Sequence, residues 1–235
     1  MKKKQLKELN QETLSPSSYE FWDDFYDSGE GKGECYEWYV NFNQLKNYLL
    51  NLIKDGDKIL HVGCGNSFLA EDLVEETENI HIEIINIDVC ENAINRMNER
   101  NKKITNQRVR NSLIYQVEDA TETNFKDNQF NGILDKGTAD ALLSTLELEQ
   151  GDNEMVKSLL REMYRLLKYH TGWFVCVSRN VCLEPYFYSD EMTNWDLKRI
   201  DLTTNSTKGK GITQVNYIYL AKSLPLSDNE NENEN

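Results

Sequence analysis

The chain is poor in cysteine, histidine and proline, and it lacks any long apolar run. Its 235 residues include five cysteines, three histidines and three prolines. No stretch is long and apolar enough to span a membrane, and the polar N-terminal segment has no apolar core typical of a signal peptide. The odd number of cysteines without a C-x-x-C pair argues against a disulfide framework, and the scattered histidines indicate no metal site. We therefore expect a cytoplasmic protein without a metal or a membrane segment.

Negative charge dominates the chain. The 40 acidic and 26 basic residues give a net charge of -14, and without the four acids of the C-terminal SDNENENEN the remainder still carries -10. An acidic surface repels the phosphates of nucleic acids and attracts basic proteins. We therefore expect a basic protein partner rather than a nucleic acid, and we expect the chain to act as a monomer.

Short apolar runs alternate with amphipathic stretches, as is typical of βαβ units in a parallel sheet. The last two runs, at 195–202 and 215–222, are joined without a helix, which predicts an antiparallel pair. The sequence thus predicts an α/β fold with a seven-stranded, doubly wound, Rossmann-like sheet, mostly parallel with a C-terminal antiparallel hairpin. The other recognisable strands are predicted at 58–63, 82–88, 113–119, 130–135 and 173–178.

One domain at 18–223 is predicted between polar ends, with a charged arm at 1–17 and an acidic tail at 224–235. Within it, residues 18–56 are predicted to form an aromatic lid and a helix. Further helices are predicted at 91–103 and 154–169, and the second has Asp152 or Asn153 as its N-cap. The apolar stripe of that helix consists of Met155, Val156, Leu159, Leu160, Met163, Leu166 and Leu167.

A glycine turn, VGCGNS, follows the first predicted strand. Gly63 and Gly65 allow a tight turn and close approach of a ligand, although an ordinary turn is the alternative. Asn66 or Ser67 can cap the next helix, whose N-terminus favours a carboxylate or phosphate. A dinucleotide turn would have a small residue where Phe68 stands, which argues against NAD and FAD.

Acidic residues end the next two strands. Asp88 can accept hydrogen bonds from both ribose hydroxyls, or it can cap the following helix. Asp119 can accept from an adenine amino group while the backbone N–H of Ala120 reaches the ring. Because the ends of parallel strands meet in one crevice, Gly63, Asp88 and Asp119 together predict adenosine bound as S-adenosylmethionine.

The segment LDKGTADALL marks the fourth strand. We assign its Asp135 as the catalytic residue; Asp135 or the local backbone would hold the cofactor's amino group and line the acceptor channel. Alternatively, Asp135 and Thr138 cap the next helix. The D/N-P-P-Y turn common in methylation of bases is missing. Lysine methylation requires only a deprotonated amine held in a dry, negatively lined slot.

Aromatic residues cluster ahead of the sheet. We expect a lid that excludes water and attracts a sulfonium or ammonium through cation–π contacts. Phe21, Phe25 and Phe42 are instead expected to cover a sheet face, and the intervening GEGKG suggests a movable loop. The expected lid rings are Trp22, Tyr26, Tyr36 and Trp38.

These motifs resemble the methyltransferase-like family that includes the lysine methyltransferases of translation elongation factor 1A and the endothelin-converting-enzyme-associated methyltransferase domain. The resemblance extends over residues 19–222, and LDKGTADALL is its most specific mark. It implies methyl transfer to a protein lysine, for example in elongation factor 1A. The alternatives are a small-molecule methyltransferase and a non-catalytic scaffold that binds S-adenosylmethionine. The cofactor contacts implied by the resemblance are Trp22, Tyr26, Trp38, Gly63, Asp88, Val89, Asp119, Ala120 and Lys136, to which the glycine turn adds Gly65 and Asn66.

Overall fold

The computed structural model describes residues 14–144, 153–205 and 213–226, so most of the predicted arm and tail lies outside the described residues. The strands are β1 (Lys58–Val62), β2 (Glu83–Asp88), β3 (Leu113–Val117), β4 (Gly132–Lys136), β5 (Trp173–Ser178), β6 (Trp195–Asn205) and β7 (Thr213–Ser223). The helices are α1 (Tyr19–Asp27), α2 (Phe42–Leu50), α3 (Leu69–Glu76), α4 (Glu91–Lys103), α5 (Gln107–Ser112), α6 (Thr138–Leu143), α7 (Glu154–Leu166) and α8 (Glu184–Phe187).

The seven strands form one sheet in the order β3-β2-β1-β4-β5-β7-β6. Strands β1 to β5 run parallel, and β7 pairs antiparallel with both β5 and β6, which confirms the predicted fold class. After β1 the chain adds β2 and β3 on one side, and it then crosses to add β4 and β5 on the other side. Ligands of open α/β sheets bind in the crevice at such a switch point, here between β1 and β4.

The edge hairpin is longer than predicted, whereas β3 is shorter. In the hairpin, pairing runs without a break from Trp195 opposite Ser223 to Asn205 opposite Thr213. Strand β3 stops at Val117, which pairs with the last residue of β2, so Asp119 lies in the loop beyond the sheet.

Helices cover both faces of the sheet because successive side chains of a strand point to opposite sides. Ile59 of β1 packs in the core under α2, α3, α4 and α5, together with Leu45 and Ile94. Leu60 packs in the core on the other face, together with Leu159 and other residues of α6, α7 and α8. None of the helices in the described ranges has the length and apolar character that a bilayer crossing requires.

Helix α7 has the predicted cap and most of the predicted stripe. The side chain of Asn153 accepts a hydrogen bond from the Val156 backbone N–H, and every stripe residue except Met155 is buried. Met155 is 39% exposed and faces the cavity described below, so its assignment to the stripe was wrong. The helix ends before the predicted boundary because Leu167 has an extended backbone and forms a bridge with Phe130.

Candidate active site

A cavity of ≈ 460 Å³ lies at the carboxyl ends of the parallel strands β1 to β4. This volume is within the range of about 300–1,000 Å³ that small-molecule and cofactor sites occupy. The lining includes nine of the predicted cofactor contacts: Trp22, Tyr26, Trp38, Gly63, Asp88, Val89, Asp119, Ala120 and Lys136. Gly65, Asn66 and Asp135 are not among the lining residues.

The glycine turn has the backbone shape that the sequence predicted. Gly63 and Gly65 have φ values of +54° and +50°, which residues with a Cβ adopt at a cost. A Cβ on Gly63 would lie 2.0 Å from Thr138 Oγ1, and one on Gly65 would lie 2.1 Å from the Tyr26 hydroxyl. Gly65 therefore lets the Tyr26 ring, which lines the cavity, pack directly against the turn.

Asp88 belongs to both the turn and the cavity wall. One carboxylate oxygen accepts from the Gly65 backbone N–H at 2.8 Å, and the other accepts from the Cys90 backbone N–H at 2.9 Å. Burial raises the pKa of Asp88, although the backbone donors oppose this shift. Asp88 therefore fixes the backbone before α4 and also faces the cavity, but it does not cap α4, whose N-cap position is Cys90.

Asn66 does not cap the next helix. Its side chain bridges to the N-terminal segment, donating to the Gly31 and Gly33 carbonyls and accepting from the Tyr36 backbone N–H. Helix α3 begins only at Leu69, whose N–H donates to Ser67 Oγ at 3.1 Å. Of the two predicted cap candidates, Ser67 thus bonds to the first N–H of α3 and Asn66 does not. The loop that was predicted to move is fastened to the turn through Asn66.

Glu37 is a residue of the site that sequence reasoning missed. Its carboxylate lies at the start of α3, where it accepts from the Phe68 backbone N–H at 2.7 Å and from Ser67 Oγ at 2.9 Å. It also forms an ion pair with Lys136 at 2.8 Å, and the Lys136 side chain is only 3% exposed. Burial pushes the pKa of Glu37 upward, but Lys136 and the donors outweigh burial and the pKa is lowered.

The N-terminal segment forms the aromatic wall of the cavity. Trp22 of α1 lies 6.1 Å from Tyr26 and 6.0 Å from Trp38, measured between ring centroids. The Trp22 indole N–H donates to the Pro16 carbonyl at 2.6 Å, and Pro16 itself lines the cavity. The end of the predicted arm is therefore part of the site. Phe42 is buried as expected.

Phe21 and Phe25 differ from the prediction. Their rings stack on each other, and both contact Trp22 edge-on, so they extend the aromatic wall rather than cover the sheet. Phe21 also lines the cavity. Aromatic spacing alone did not separate the two roles, because both faces of α1 carry rings.

The loop after β3 places Asp119 and Ala120 at the cavity, as predicted. One oxygen of Asp119 accepts from the backbone N–H and the hydroxyl of Thr121, at 2.8 and 2.7 Å. These bonds fix the loop and hold the carboxylate at the rim of the site.

Asp135 lies away from the cavity. It is 1% exposed, and its two oxygens accept from the backbone N–H groups of Thr138 at 2.8 Å and Ala139 at 3.1 Å. Burial raises the pKa of Asp135 to about 6. The structure thus corresponds to the Asp135 part of the alternative interpretation, in which this carboxylate caps the next helix, and not to a catalytic position. Thr138 is not a cap, because its hydroxyl donates to the Val62 carbonyl of β1. Asp140, in the same motif, is the carboxylate that lines the cavity.

Comparisons with known proteins agree with this geometry. The chain matches a family model described as a methyltransferase domain over residues 53–216. It is 40% identical over 161 residues to the eEF1A lysine and N-terminal methyltransferase of Xenopus laevis, which covers 68% of this chain and 21% of that protein. It is 24% identical over 231 residues to the EEF1A lysine methyltransferase 4 of Bos taurus, which covers 95% of this chain and 82% of that protein. A solved SAM-dependent methyltransferase of Methanosarcina mazei has a TM-score of 0.55 at 15% identity, covering 75% of this chain and 97% of that one.

Proposed function

The chain belongs to the methyltransferase-domain family, and from this premise we propose that it transfers the methyl group of S-adenosylmethionine to a lysine of another protein. The observation that carries the proposal is the cavity itself, in which aromatic rings and carboxylates face each other at the ends of the parallel strands. The chain spans about a fifth of the length of the Xenopus laevis relative. We therefore propose its acceptor from the chemistry of the site together with the names of its relatives.

Family membership confirms S-adenosylmethionine as the predicted cofactor, and the residues of the cavity fit its parts. Asp88 uses one N–H donor on each oxygen, and a carboxylate with about four acceptor positions has room for ribose hydroxyls. The rings of Trp22, Tyr26 and Trp38 suit a sulfonium, which aromatic faces attract. The glycine turn allows close approach of backbone to ligand.

The start of α3 also favours a cofactor without phosphate. Helix N-termini commonly bind phosphate groups, but here the Glu37 carboxylate already accepts from the Phe68 backbone N–H. A pyrophosphate would have to displace Glu37 from both this donor and Lys136. The site is thus suited to an adenosine linked to an amino acid, as in S-adenosylmethionine, and not to NAD or FAD.

The bound cofactor supplies an electrophilic methyl group. The acceptor amine must arrive neutral, so its proton first leaves to solvent; its nitrogen then bonds to the methyl carbon as the carbon–sulfur bond breaks and sulfur keeps the electron pair. The aromatic wall excludes water and orients the amine, which supplies the positioning that such a reaction needs. Because the amine loses a proton first, turnover is expected to rise with pH.

Both relatives described above carry lysine methylation of eEF1A in their names, and this supports elongation factor 1A as the first acceptor to test. The name of one relative also includes N-terminal methylation. The α-amine of a protein N-terminus is therefore the second candidate, because it too must be a neutral amine whose nitrogen bonds to the methyl carbon. The net charge of -14 supports a basic protein partner. We further propose that the protein is a cytoplasmic monomer whose catalytic domain spans 18–223.

The test is to incubate the purified protein with radiolabelled S-adenosylmethionine and either recombinant elongation factor 1A or a cell lysate. Mass spectrometry of the labelled product then locates the methyl group. Label on a lysine side chain supports the proposal, and label on an N-terminal α-amine supports the second candidate. Label on RNA or on a small metabolite would contradict both, and Asp88→Ala serves as the variant with weakened cofactor binding.

A further inference from the structure

A second concavity adjoins the active-site cavity on the side of β5. It is open to solvent, has a volume of ≈ 420 Å³ and is formed by α6 and the loop after β5. Asp140 and Ser144 line both spaces, so the carboxylate of Asp140 stands where the two meet. A side chain entering from the open concavity towards the cavity would pass Asp140.

Asp140 is held in place by two donors at the end of β5. It accepts from the Ser178 hydroxyl and from the Arg179 backbone N–H at 2.8 Å. Burial and then the nearby Asp140 carboxylate raise the pKa of Tyr39, whose hydroxyl lies beside Asp140. A carboxylate offers about four acceptor positions, so one further donor can bind. Asp140 is half-buried, which leaves that position accessible from the cavity.

Tyr39 joins this carboxylate to the aromatic wall. Its ring contacts Trp38 at a centroid distance of 6.1 Å and lies under the Arg179 guanidinium, whose Cζ is 4.6 Å from the ring centre. The backbone of Tyr39 has a φ of +62°, and a Cβ on Gly137 would come within 3.4 Å of the ring. Tyr39 is thus fixed between the N-terminal segment and the loop after β4.

We propose that Asp140 is the acceptor-binding residue: it accepts a hydrogen bond from the amine that enters between Tyr39 and the loop after β5. This inference rests on the proposed function, because it names the residue that receives the lysine. A lysine ammonium group that has lost one proton is a neutral amine with two N–H groups and one lone pair. An N–H donated to Asp140 leaves the lone pair free for the methyl carbon. The Asp140 carboxylate favours the protonated form of the amine, whereas the Arg179 guanidinium disfavours that form. The carboxylate therefore binds the amine, while the cation opposes its protonation.

The experiment compares wild type with Asp140→Asn and Tyr39→Phe, and Asp196→Asn on the exposed side of β6 is the matched control. Calorimetry with S-adenosylhomocysteine measures cofactor affinity. Steady-state kinetics measures kcat and KM for the acceptor protein that the labelling experiment identifies. We expect Asp140→Asn to lose roughly 10- to 100-fold in kcat/KM for the acceptor, the size of one hydrogen bond to a charged group, at unchanged cofactor affinity. Tyr39→Phe removes only the hydroxyl beside Asp140, so it should raise the acceptor KM less than Asp140→Asn does and keep the fold.

An acceptor peptide with norleucine in place of lysine separates amine binding from a structural effect. The norleucine side chain has no amine, so this peptide should inhibit wild type and Asp140→Asn equally well. The lysine peptide should bind the variant more weakly than it binds wild type. If Asp140→Asn reduces cofactor affinity as much as acceptor kinetics, or if its acceptor kinetics match the control, the inference is wrong. If wild type itself labels no lysine, the proposed function fails instead, so the two failures are distinct.

Discussion

Acid sensitivity of the fold is expected to depend on His61, the buried histidine of β1. It is 1% exposed and stands opposite Asn86 in the register of β1 and β2. The Asn86 amide donates to the carbonyls of Ile84 and Ile114, so its oxygen faces His61 Nδ1 at 3.0 Å. Nδ1 therefore carries the proton of a neutral imidazole.

Burial lowers the pKa of His61 from 6.5 to about 4; the bond to Asn86 opposes the shift, and the Lys136 charge adds to it. A histidine with a depressed pKa in the folded state contributes stability that is complete above its unfolded pKa and is lost as the pH falls towards its folded pKa. At about 1.4 kcal/mol per pKa unit the whole effect is about 3 kcal/mol. Between about pH 7 and about pH 5 the expected loss is about 2 kcal/mol.

The assay is urea unfolding of wild type and His61→Gln at both pH values, since the variant keeps a donor for Asn86 but has no titrating group. All other groups titrate in both proteins, so the difference between the two pH dependences isolates His61. We expect wild type to lose about 2 kcal/mol more than the variant between the two conditions. Equal losses in the two proteins would refute the reasoning and would mean that His61 is protonated without cost in the fold.

Four further outcomes are expected. S-adenosylhomocysteine should raise the melting temperature, whereas NAD should not; at a hundredfold excess over its dissociation constant, its binding adds about 2.7 kcal/mol to the free energy of unfolding. Asp88→Ala should weaken cofactor binding by about 1–3 kcal/mol in calorimetry, and an unchanged affinity would leave Asp88 only its bonds to the backbone. Glu37→Gln should lower the free energy of unfolding in urea by about 3 kcal/mol, because buried Lys136 loses its charged partner; a neutral effect would show that other acceptors suffice. Gly65→Ala should lower it by about 1–2 kcal/mol for the positive φ alone, with a further loss from contact with Tyr26, and a fully stable variant would contradict the close approach.

The fold followed from patterns that are local in the chain. Strands β2 and β5 and helices α4 and α7 lie within a few residues of their predicted bounds, because apolar periodicity reflects which face of each element is buried. The missing helix between the last two apolar runs was enough to predict their antiparallel pairing. Resemblance to the methyltransferase-like family was likewise confirmed by the family match over residues 53–216.

The lid and the glycine loop were harder to predict, because their roles depend on contacts between distant segments. Asn66 and Ser67 were both candidates for the helix cap, yet the partners of Asn66, Gly31 and Gly33, lie more than 30 residues earlier in the chain. Glu37 was given no role from the sequence. Its pairing with Lys136 joins residues 99 positions apart, and no periodic pattern reports such a contact.

The sequence by itself determined the order of the elements, the positive-φ turn at Gly63 and the acidic residue at the end of β2, because each depends on a residue type and its near neighbours. Only the tertiary structure decided which carboxylate of LDKGTADALL faces the cavity. Asp135 is the fourth residue of buried β4 and accepts from the start of α6, whereas Asp140 lies within α6, where its side chain meets Tyr39 and the loop after β5. The physical reason is that a carboxylate points to whichever donors the folded chain brings within reach, and for Asp140 these lie at the end of β5, about 40 residues away.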